Sequence, residues 1–234
     1  IFYIKKYLSL AVPALMLLLV ESFSFQIMII IASYLGPIQM SANVCLYNFA
    51  VICSMVSYGI GAAGGTLVGN AVGRLSTEAG YKYIKATIVY IYSVSLIFLI
   101  VVNYFRQSIC RLYTTEPRIL DILLEVFPIY SWNLMFDFPE ITMGGICKGL
   151  GRQKSAVKVF LGVQYCFGIP FMLMLTFYFD LKLKGLWLAQ LFNIWFIYFG
   201  ILYIIKSKPL EVTVEEFRNE LEEHKAHGDG GKNE

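Results

Sequence analysis

The sequence predicts an all-α membrane protein with six transmembrane helices. Apolar residues make up 58% of the chain, charged residues make up only 15%, and the mean hydropathy is +0.65. The charges collect in short clusters between long apolar stretches. Because roughly 20 apolar residues in a helix cross a bilayer, this composition and pattern are typical of a polytopic membrane protein.

Hydropathy, together with the positions of glycine, proline and charged residues, divides the chain into six apolar spans. We predict that they cover residues 7–35, 38–72, 79–105, 117–148, 154–179 and 184–206. The connections are short, as at Gly36-Pro37, so sequential helices are expected to be antiparallel neighbours. Spans two and four contain enough glycine and proline to be bent or broken.

The first span places one carboxylate, Glu21, near the middle of an otherwise uncharged apolar stretch. Pro13 precedes it in the same span, where it removes a backbone donor and is expected to bend the helix. Ionisable residues inside a membrane usually have a function, because placing a charge there is unfavourable. We therefore interpret Glu21 as a candidate for binding protons or cations. The alternative is a capped or paired structural acid.

The second span has a glycine at every fourth position, at Gly61, Gly65, Gly69 and Gly73. On a helix these glycines share one face and allow another backbone to approach closely. A phosphate-binding loop is not indicated, because no Gly-Lys-Ser/Thr follows the run and no strand precedes it. The pattern predicts helix packing.

The fourth span carries two further carboxylates, Asp137 and Glu140, which flank Pro139 and lie on neighbouring parts of one helix face. Pro139 leaves the carbonyl of Met135 without its helical donor. Carboxylates beside a free carbonyl suit H⁺ or Na⁺, so we expect this face to point into the bundle or its cavity. The alternative is that both acids sit in a water-filled vestibule or pair with a lysine.

Composition also argues against several function classes. The net charge of +3 is spread over connecting loops without a basic stripe, so nucleic acid is not an expected partner. The five cysteines show neither a Cys-x-x-Cys pattern nor metal-ligand spacing. The two histidines, His224 and His227, both follow the last span, so no Ser-His-Asp or Cys-His set forms within the spans. We expect no enzymatic activity, no bound metal and no cofactor.

The distribution of basic residues predicts the orientation in the membrane. Eleven lysines and arginines fall on one side and five on the other, and by the positive-inside rule the richer side, with both termini, is cytoplasmic. The richer side holds Lys5, Lys6, Arg74, Lys82, Lys85, Lys148, Arg152, Lys154, Lys158, Lys206 and Lys208, and the other side holds Arg106, Arg111, Arg118, Lys182 and Lys184.

We predict two domains, a six-helix transmembrane lobe over 1–206 and a cytoplasmic tail over 207–234. In the tail, Thr213 and Glu216 form a capping-box pattern, and an apolar edge predicts a short helix that ends near His224. The glycine-rich end is expected to be disordered. The chain has neither a starting methionine nor a signal-peptide pattern, so we expect it to begin within a longer protein.

Five features follow one another in a specific order. They are Pro13 with Glu21 eight residues later, the glycine-alanine run from Gly59 to Gly73, Asp137 with Gly145, Gly149 and Gly151, Gly168-Ile169-Pro170, and Lys184-Gly185-Leu186-Trp187-Leu188. Over about residues 1–206, this order resembles the second half of a eukaryotic-type multidrug and toxic compound extrusion (MATE) transporter.

The resemblance implies a twelve-helix fold of two six-helix lobes, of which this chain is similar to the C-terminal one. It implies a secondary active antiporter that exports small organic cations or metabolites in exchange for H⁺ or Na⁺. Its partners would be membrane lipid and an N-terminal six-helix lobe or a second subunit, in the plasma membrane or a vacuolar or other organelle membrane. The alternative is a MATE-like membrane subunit without transport that serves a structural or assembly role.

The resemblance also implies roles for individual residues. Glu21 and Asp137 fall on the family's acidic positions in its seventh and tenth helices, which makes both candidates for the coupling site. Gln26 stands where some relatives have a second acid in the seventh helix, and Asn48 where some have one in the eighth. Glu140 stands where many have an amide. These five residues are the candidate coupling and substrate site.

Overall fold

The computed structural model describes residues 2–229, without the side chains of 2–10, 13, 14, 17, 220 and 223–229. Its α-helices are α1 (Phe2–Ser33), α2 (Pro37–Gly73), α3 (Thr77–Tyr104), α4 (Arg106–Tyr113), α5 (Pro117–Gly149), α6 (Gln153–Leu161), α7 (Ile169–Leu173), α8 (Lys182–Ser207) and α9 (Leu210–Asp229). Two π-helical segments, π1 (Gly162–Gly168) and π2 (Met174–Tyr178), continue α6 and α7 into one rod.

Five helices among the described residues are long and apolar enough to cross a membrane. They are α2, α3, α5, the rod Gln153–Tyr178 and α8. The first predicted span is helical throughout α1, but its described apolar part is the shorter stretch Leu18–Ser33. The all-α membrane fold is therefore confirmed, and the prediction that α1 also crosses the bilayer stays a prediction. The bend expected at Pro13 concerns a side chain outside the described set.

The short connections form where glycine permits them. Gly36 has a φ of 97° and Gly151 a φ of 70°, which are left-handed backbone conformations that suit glycine. Pro37 begins α2, where its missing N–H leaves no helical bond unmade. Ser76 precedes α3, and its hydroxyl accepts a hydrogen bond from the N–H of Ala79 at 3.4 Å. These turns set each helix beside its predecessor.

Two features of the helices differ from the prediction that spans two and four are bent or broken and that the other spans are ordinary helices, and a third narrows it. Spans two and four are single helices, with Pro128 and Pro139 inside α5, so neither is broken. A separate short helix, α4, lies between spans three and four. The fifth span is partly π-helical: in π1 the N–H of Ile169 donates to the carbonyl of Gln164, five residues earlier. Hydropathy measures apolar length only, so it does not report the change in helix type.

The core is organised around α5, which packs against α2, α3 and α8. Phe127, Leu134, Phe138 and Ile146 of this helix are all buried, with at most 2% of their surfaces exposed. The apolar faces of α2 and α8 meet it from two sides, and burial of this kind is the main favourable term in packing such side chains. Polar groups on the inner face of α5 are therefore held inside the bundle.

The glycines of α2 pack closely against another helix, as the sequence predicts, and that helix is α5. A Cβ added to Gly61 would lie 3.1 Å from the Cα of Thr142, and one added to Gly65 would overlap the backbone of Gly145. The fit is reciprocal, because a Cβ added to Gly145 or Gly149 would overlap the backbone of α2. Gly73, the fourth glycine of the predicted face, has nothing within 4 Å of an added Cβ and takes no part in this contact.

The tail helix α9 packs on the bundle. Leu210 and Val214 are buried against α2, at Val68 and Val72. The guanidinium of Arg152 donates to the carbonyls at the end of α8 and to the hydroxyl of Thr213.

The prediction for the ends of this helix was wrong. The helix starts at Leu210, before Thr213, and the Thr213 hydroxyl accepts a hydrogen bond from Arg152. Its last turns extend beyond His224 to Asp229. The histidine side chains and residues 230–234 lie outside the described residues. The division into a lobe and a tail remains a prediction.

Candidate coupling and substrate site

A cavity of about 180 Å³ lies between α1, α2, α5 and α8, and we call it the carboxylate cavity. Its polar and aromatic lining consists of Glu21, Ser22, Phe25, Tyr47, Ser54, Tyr58, Tyr130, Asn133, Asp137, Trp187 and Gln190. The cavity therefore joins the acid of the first predicted span, on α1, to an acid of the fourth, on α5.

Glu21 meets a hydrogen-bond donor from the neighbouring helix. The hydroxyl of Tyr58 on α2 donates to Oε1 of Glu21 on α1. A hydrogen bond between a hydroxyl and an ionised carboxylate is about twice as strong as one between neutral groups. This contact therefore ties α1 to α2 most firmly when Glu21 is charged.

Asp137 and Glu140 occupy different positions on α5. Asp137 lines the carboxylate cavity, whereas Glu140 is buried with 5% of its surface exposed. Glu21, Asp137 and Glu140 interact electrostatically with one another, and Lys148 interacts with Glu21 and Glu140. Three carboxylates near one lysine leave a surplus of negative charge when all are ionised, so the cluster favours binding of a proton or another cation.

The two amides of the candidate set lie elsewhere. Gln26 and Asn48 are exposed, and neither lines the carboxylate cavity. Gln26 follows Glu21 by five residues, which at 100° a residue turns it well away from the face that carries Glu21. The structure thus brings three of the five candidates together and leaves Gln26 and Asn48 on other faces.

Several cavity residues were missed by sequence reasoning. Tyr58 precedes the glycine run, and in the sequence it is only one more residue of an apolar span. Asn133 and Gln190 are polar residues inside apolar spans. Their polarity could have identified them, because polar groups buried in a membrane usually face partners or a cavity. Within the described part of the chain, Oδ1 of Asn133 is buried without a hydrogen-bond partner. That atom is an unpaired acceptor in the wall of the cavity.

Aromatic rings form much of the remaining wall. Tyr130 and Trp187 meet edge to face with their ring centroids 5.5 Å apart, and the indole N–H of Trp187 donates to Oδ1 of Asn43 at 3.1 Å. These contacts fix the rings in place. Aromatic faces attract organic cations, so carboxylates and rings together suit a positively charged, partly apolar molecule. Among the described residues, no group of three or more His, Cys, Asp or Glu is arranged to hold a metal ion.

A second concavity, of about 630 Å³, adjoins the carboxylate cavity, and we call it the glycine groove. It follows the contact between α2 and α5, and its lining includes Gly65, Asn70, Gly145 and Lys148. Tyr58 and Ile141 line both the cavity and the groove.

Comparison with known proteins identifies the family. The MatE family model matches residues 13–174. Multidrug and toxin extrusion protein 1 of Pongo abelii is 28% identical over 181 residues, which cover 77% of this chain and 32% of that protein. Multidrug and toxin extrusion protein 2 of Homo sapiens is 25% identical over 185 residues, which cover 79% of this chain and 31% of that protein. This chain thus spans about a third of the length of these relatives.

The fold agrees with a solved structure. The crystal structure of the eukaryotic MATE transporter AtDTX14 superposes with a TM-score of 0.86 and 21% identity, over 92% of this chain and 49% of that chain. The likeness shows that the helices are arranged as in about half of a MATE transporter. The family match over 13–174 and the membrane-length helices together show that this chain is a multi-pass integral membrane protein of the MatE family.

Proposed function

We propose that this chain supplies one lobe of a secondary active antiporter that exports small organic cations or metabolites in exchange for H⁺ or Na⁺. The observation that carries the proposal is the carboxylate cavity, in which Glu21 and Asp137 meet between four helices. Family membership supports it, as do the relatives that are named multidrug and toxin extrusion proteins. The family consists of transporters, and we propose no enzymatic activity.

The exchange rests on competition for negative charge. In a poorly hydrated bundle, carboxylates that repel one another hold a proton or a cation more readily than isolated acids in water. A proton or Na⁺ that enters the cavity neutralises Glu21 or Asp137 and weakens the attraction for an organic cation, which is then released. Binding of the next organic cation favours the ionised acids and displaces the coupling ion. Each ligand thus lowers the affinity for the other, as antiport requires.

Other cavity residues act on the substrate. The aromatic wall at Tyr130 and Trp187 contacts the apolar and cationic parts of the substrate, and the Asn133 amide accepts a hydrogen bond from its N–H group. Glu140 and Lys148 adjust the net charge around Glu21, because both interact with it electrostatically. Gln26 and Asn48 remain proposals for contacts outside the cavity, since they lie on exposed faces.

The partner in this proposal is a second six-helix unit. The carboxylate cavity is a site on one lobe, and the relatives are about three times as long as the matched segment. Sites of this kind lie at the interface between the repeats of a secondary transporter, so a second lobe or subunit would close the site and alternate its access.

The experiment measures cation efflux driven by a proton or Na⁺ gradient in vesicles that contain the full-length native protein. We expect Glu21→Gln and Asp137→Asn to abolish coupled efflux between about pH 6 and 8, because each keeps the shape of its side chain but removes the ionisable group. Asp121→Asn is the matched control: it makes the same change on α5 at an exposed position, and efflux should stay at the parent level.

Parent-level efflux by both cavity variants would refute the proposed coupling role. A native protein that transports no cation under either gradient, yet assembles with another membrane protein, would favour the structural or assembly role.

A further inference from the structure

The glycine groove and the carboxylate cavity meet at one side chain that the coupling scheme leaves unused. Tyr58 lines both spaces, one helical turn before Gly61. Its neighbour across the boundary is Ile141 of α5, an apolar residue that also lines both. The boundary between the two spaces is therefore formed by one aromatic ring and one aliphatic side chain.

The groove is large enough to hold water. Beyond Tyr58 and Ile141 it is lined by glycines, which present no side chain to fill it, together with Ala62, Thr66, Asn70 and Lys148. Its volume of about 630 Å³ exceeds that of the cavity, which is about 180 Å³. A water molecule takes about 30 Å³ in the liquid, so the groove has room for many waters. It runs towards the loops that carry Arg74 and Arg152, the predicted cytoplasmic side.

The Tyr58 ring is held by the acid whose charge changes during coupling. Its hydroxyl donates to Oε1 of Glu21 across the gap between α2 and α1. When Glu21 takes up a proton, the carboxyl group becomes a weaker acceptor and a donor in its own right, so the bond loses its charge assistance.

The charged and titratable groups around Glu21 are few in the described part of the chain. Asp137, Glu140 and Lys148 reach it from α5 and Tyr58 reaches it from α2. From α8, which also packs against α1, the uncharged Trp187 and Gln190 line the cavity, and no residue of α6 does. Tyr58 is the one member of this group that also touches the groove and donates a hydrogen bond to Glu21.

We propose that Tyr58 is a latch between the two spaces, closed by its hydrogen bond to ionised Glu21 and released when Glu21 is neutralised. The latch rests on the proposed coupling role of Glu21 and adds a positioning residue to it. Its consequence is ordered access: the cavity communicates with the groove only after the acid has bound its proton or cation. The path is therefore open when Glu21 holds its ion and closed when Glu21 is ionised, the state that the organic cation favours.

The test measures how fast a cysteine in the cavity reacts with an impermeant thiol reagent applied from the groove side. Ser54→Cys lines the cavity and serves as the reporter in the full-length native protein, with Cys45→Ser and Cys166→Ser removing the more accessible native thiols. We expect Tyr58→Phe and Glu21→Gln each to raise the labelling rate about tenfold, because the first removes the hydroxyl that donates and the second removes the negative charge that strengthens the bond.

The double variant, Tyr58→Phe with Glu21→Gln, should label no faster than either single variant, since both changes remove one interaction. Tyr81→Phe is the matched control: it removes a tyrosine hydroxyl that donates to Glu211 at 2.9 Å, outside the cavity, and the rate should stay at the parent value.

Two results would overturn the latch. One is a parent-like rate in both single variants, and the other is a double variant whose effect equals the product of the two single effects. The labelling rate does not depend on transport, so a protein that fails to exchange cations would count against the proposed function while the labelling still decides on Tyr58.

Discussion

Replacing Gly145 with alanine tests whether backbone contact holds α2 and α5 together. An added Cβ at this position would lie within 3 Å of the O, C and Cα atoms of Gly61, and the Cα would be 2.8 Å away. Ordinary van der Waals contact begins at 3.4 Å. No flexible side chain is available to move, so the two helices themselves must separate.

The expected magnitude follows from two opposing terms. Overpacking of this kind destabilises a core by about 1–3 kcal/mol. Alanine gains about 1 kcal/mol over glycine inside a helix, which offsets part of that loss. Gly144→Ala is the matched control, because it receives the same helix gain and has nothing within 4 Å of its added Cβ. The two variants should therefore differ by about 1–3 kcal/mol, with Gly145→Ala the less stable.

The assay is thermal unfolding of the detergent-solubilised full-length protein. For a domain of about 150–250 residues, about 1 kcal/mol corresponds to roughly 2–4 °C in Tm, and a larger protein shifts less, so Gly145→Ala should melt up to roughly 12 °C below Gly144→Ala. Equal melting temperatures, or a higher one for Gly145→Ala, would refute the argument that α2 and α5 pack through their glycines.

Three further outcomes are expected. Arg152→Lys should lower the free energy of unfolding by about 1–3 kcal/mol and expose the tail to proteolysis, because lysine lacks the forked guanidinium that joins α8 to α9. The control, Arg74→Lys at an exposed position, should change the free energy of unfolding by less than about 0.5 kcal/mol. Asn193→Leu should destabilise by about 1–2 kcal/mol by leaving buried Gln164 without its donor, and adding Gln164→Leu should recover part of the loss, as thermal unfolding of both variants will show. Ser155→Cys should react with an impermeant thiol reagent from the cytoplasmic side; reaction from the opposite side would contradict the predicted orientation.

Much of the fold follows from apolar length and glycine spacing. The number of residues in each apolar run predicts the spans, and the four-residue spacing of Gly61, Gly65 and Gly69 predicts a close helix contact. The partner on α5 was not predicted from spacing alone, since a glycine pattern states which face is bare and not which helix covers it. The π-helical segments carry no periodic signal, so the sequence shows the fifth span as an ordinary helix.

The candidate site was predictable as far as its acids. Glu21 and Asp137 stand out because a carboxylate in an apolar span is unfavourable without a role, and they meet in one cavity. Tyr58 was missed because its contact with Glu21 depends on the rotation of α2 against α1, which no local pattern records. Gln26 and Asn48 were grouped with the acids because of the family resemblance, and their side chains lie on exposed faces.

The π-helical turn at Gly162–Gly168 accommodates one more residue than an α-helical turn would. Gln164 lies in this turn and is buried, where it bonds with Asn193 of α8. An insertion in an ancestral helix would account for such a turn, because the flanking α-helical faces keep their partners while the widened turn brings one polar side chain inward. A chain shortened by one residue at this turn should therefore still form the rod, with an uninterrupted α-helical ladder and without the amide pair that now joins it to α8.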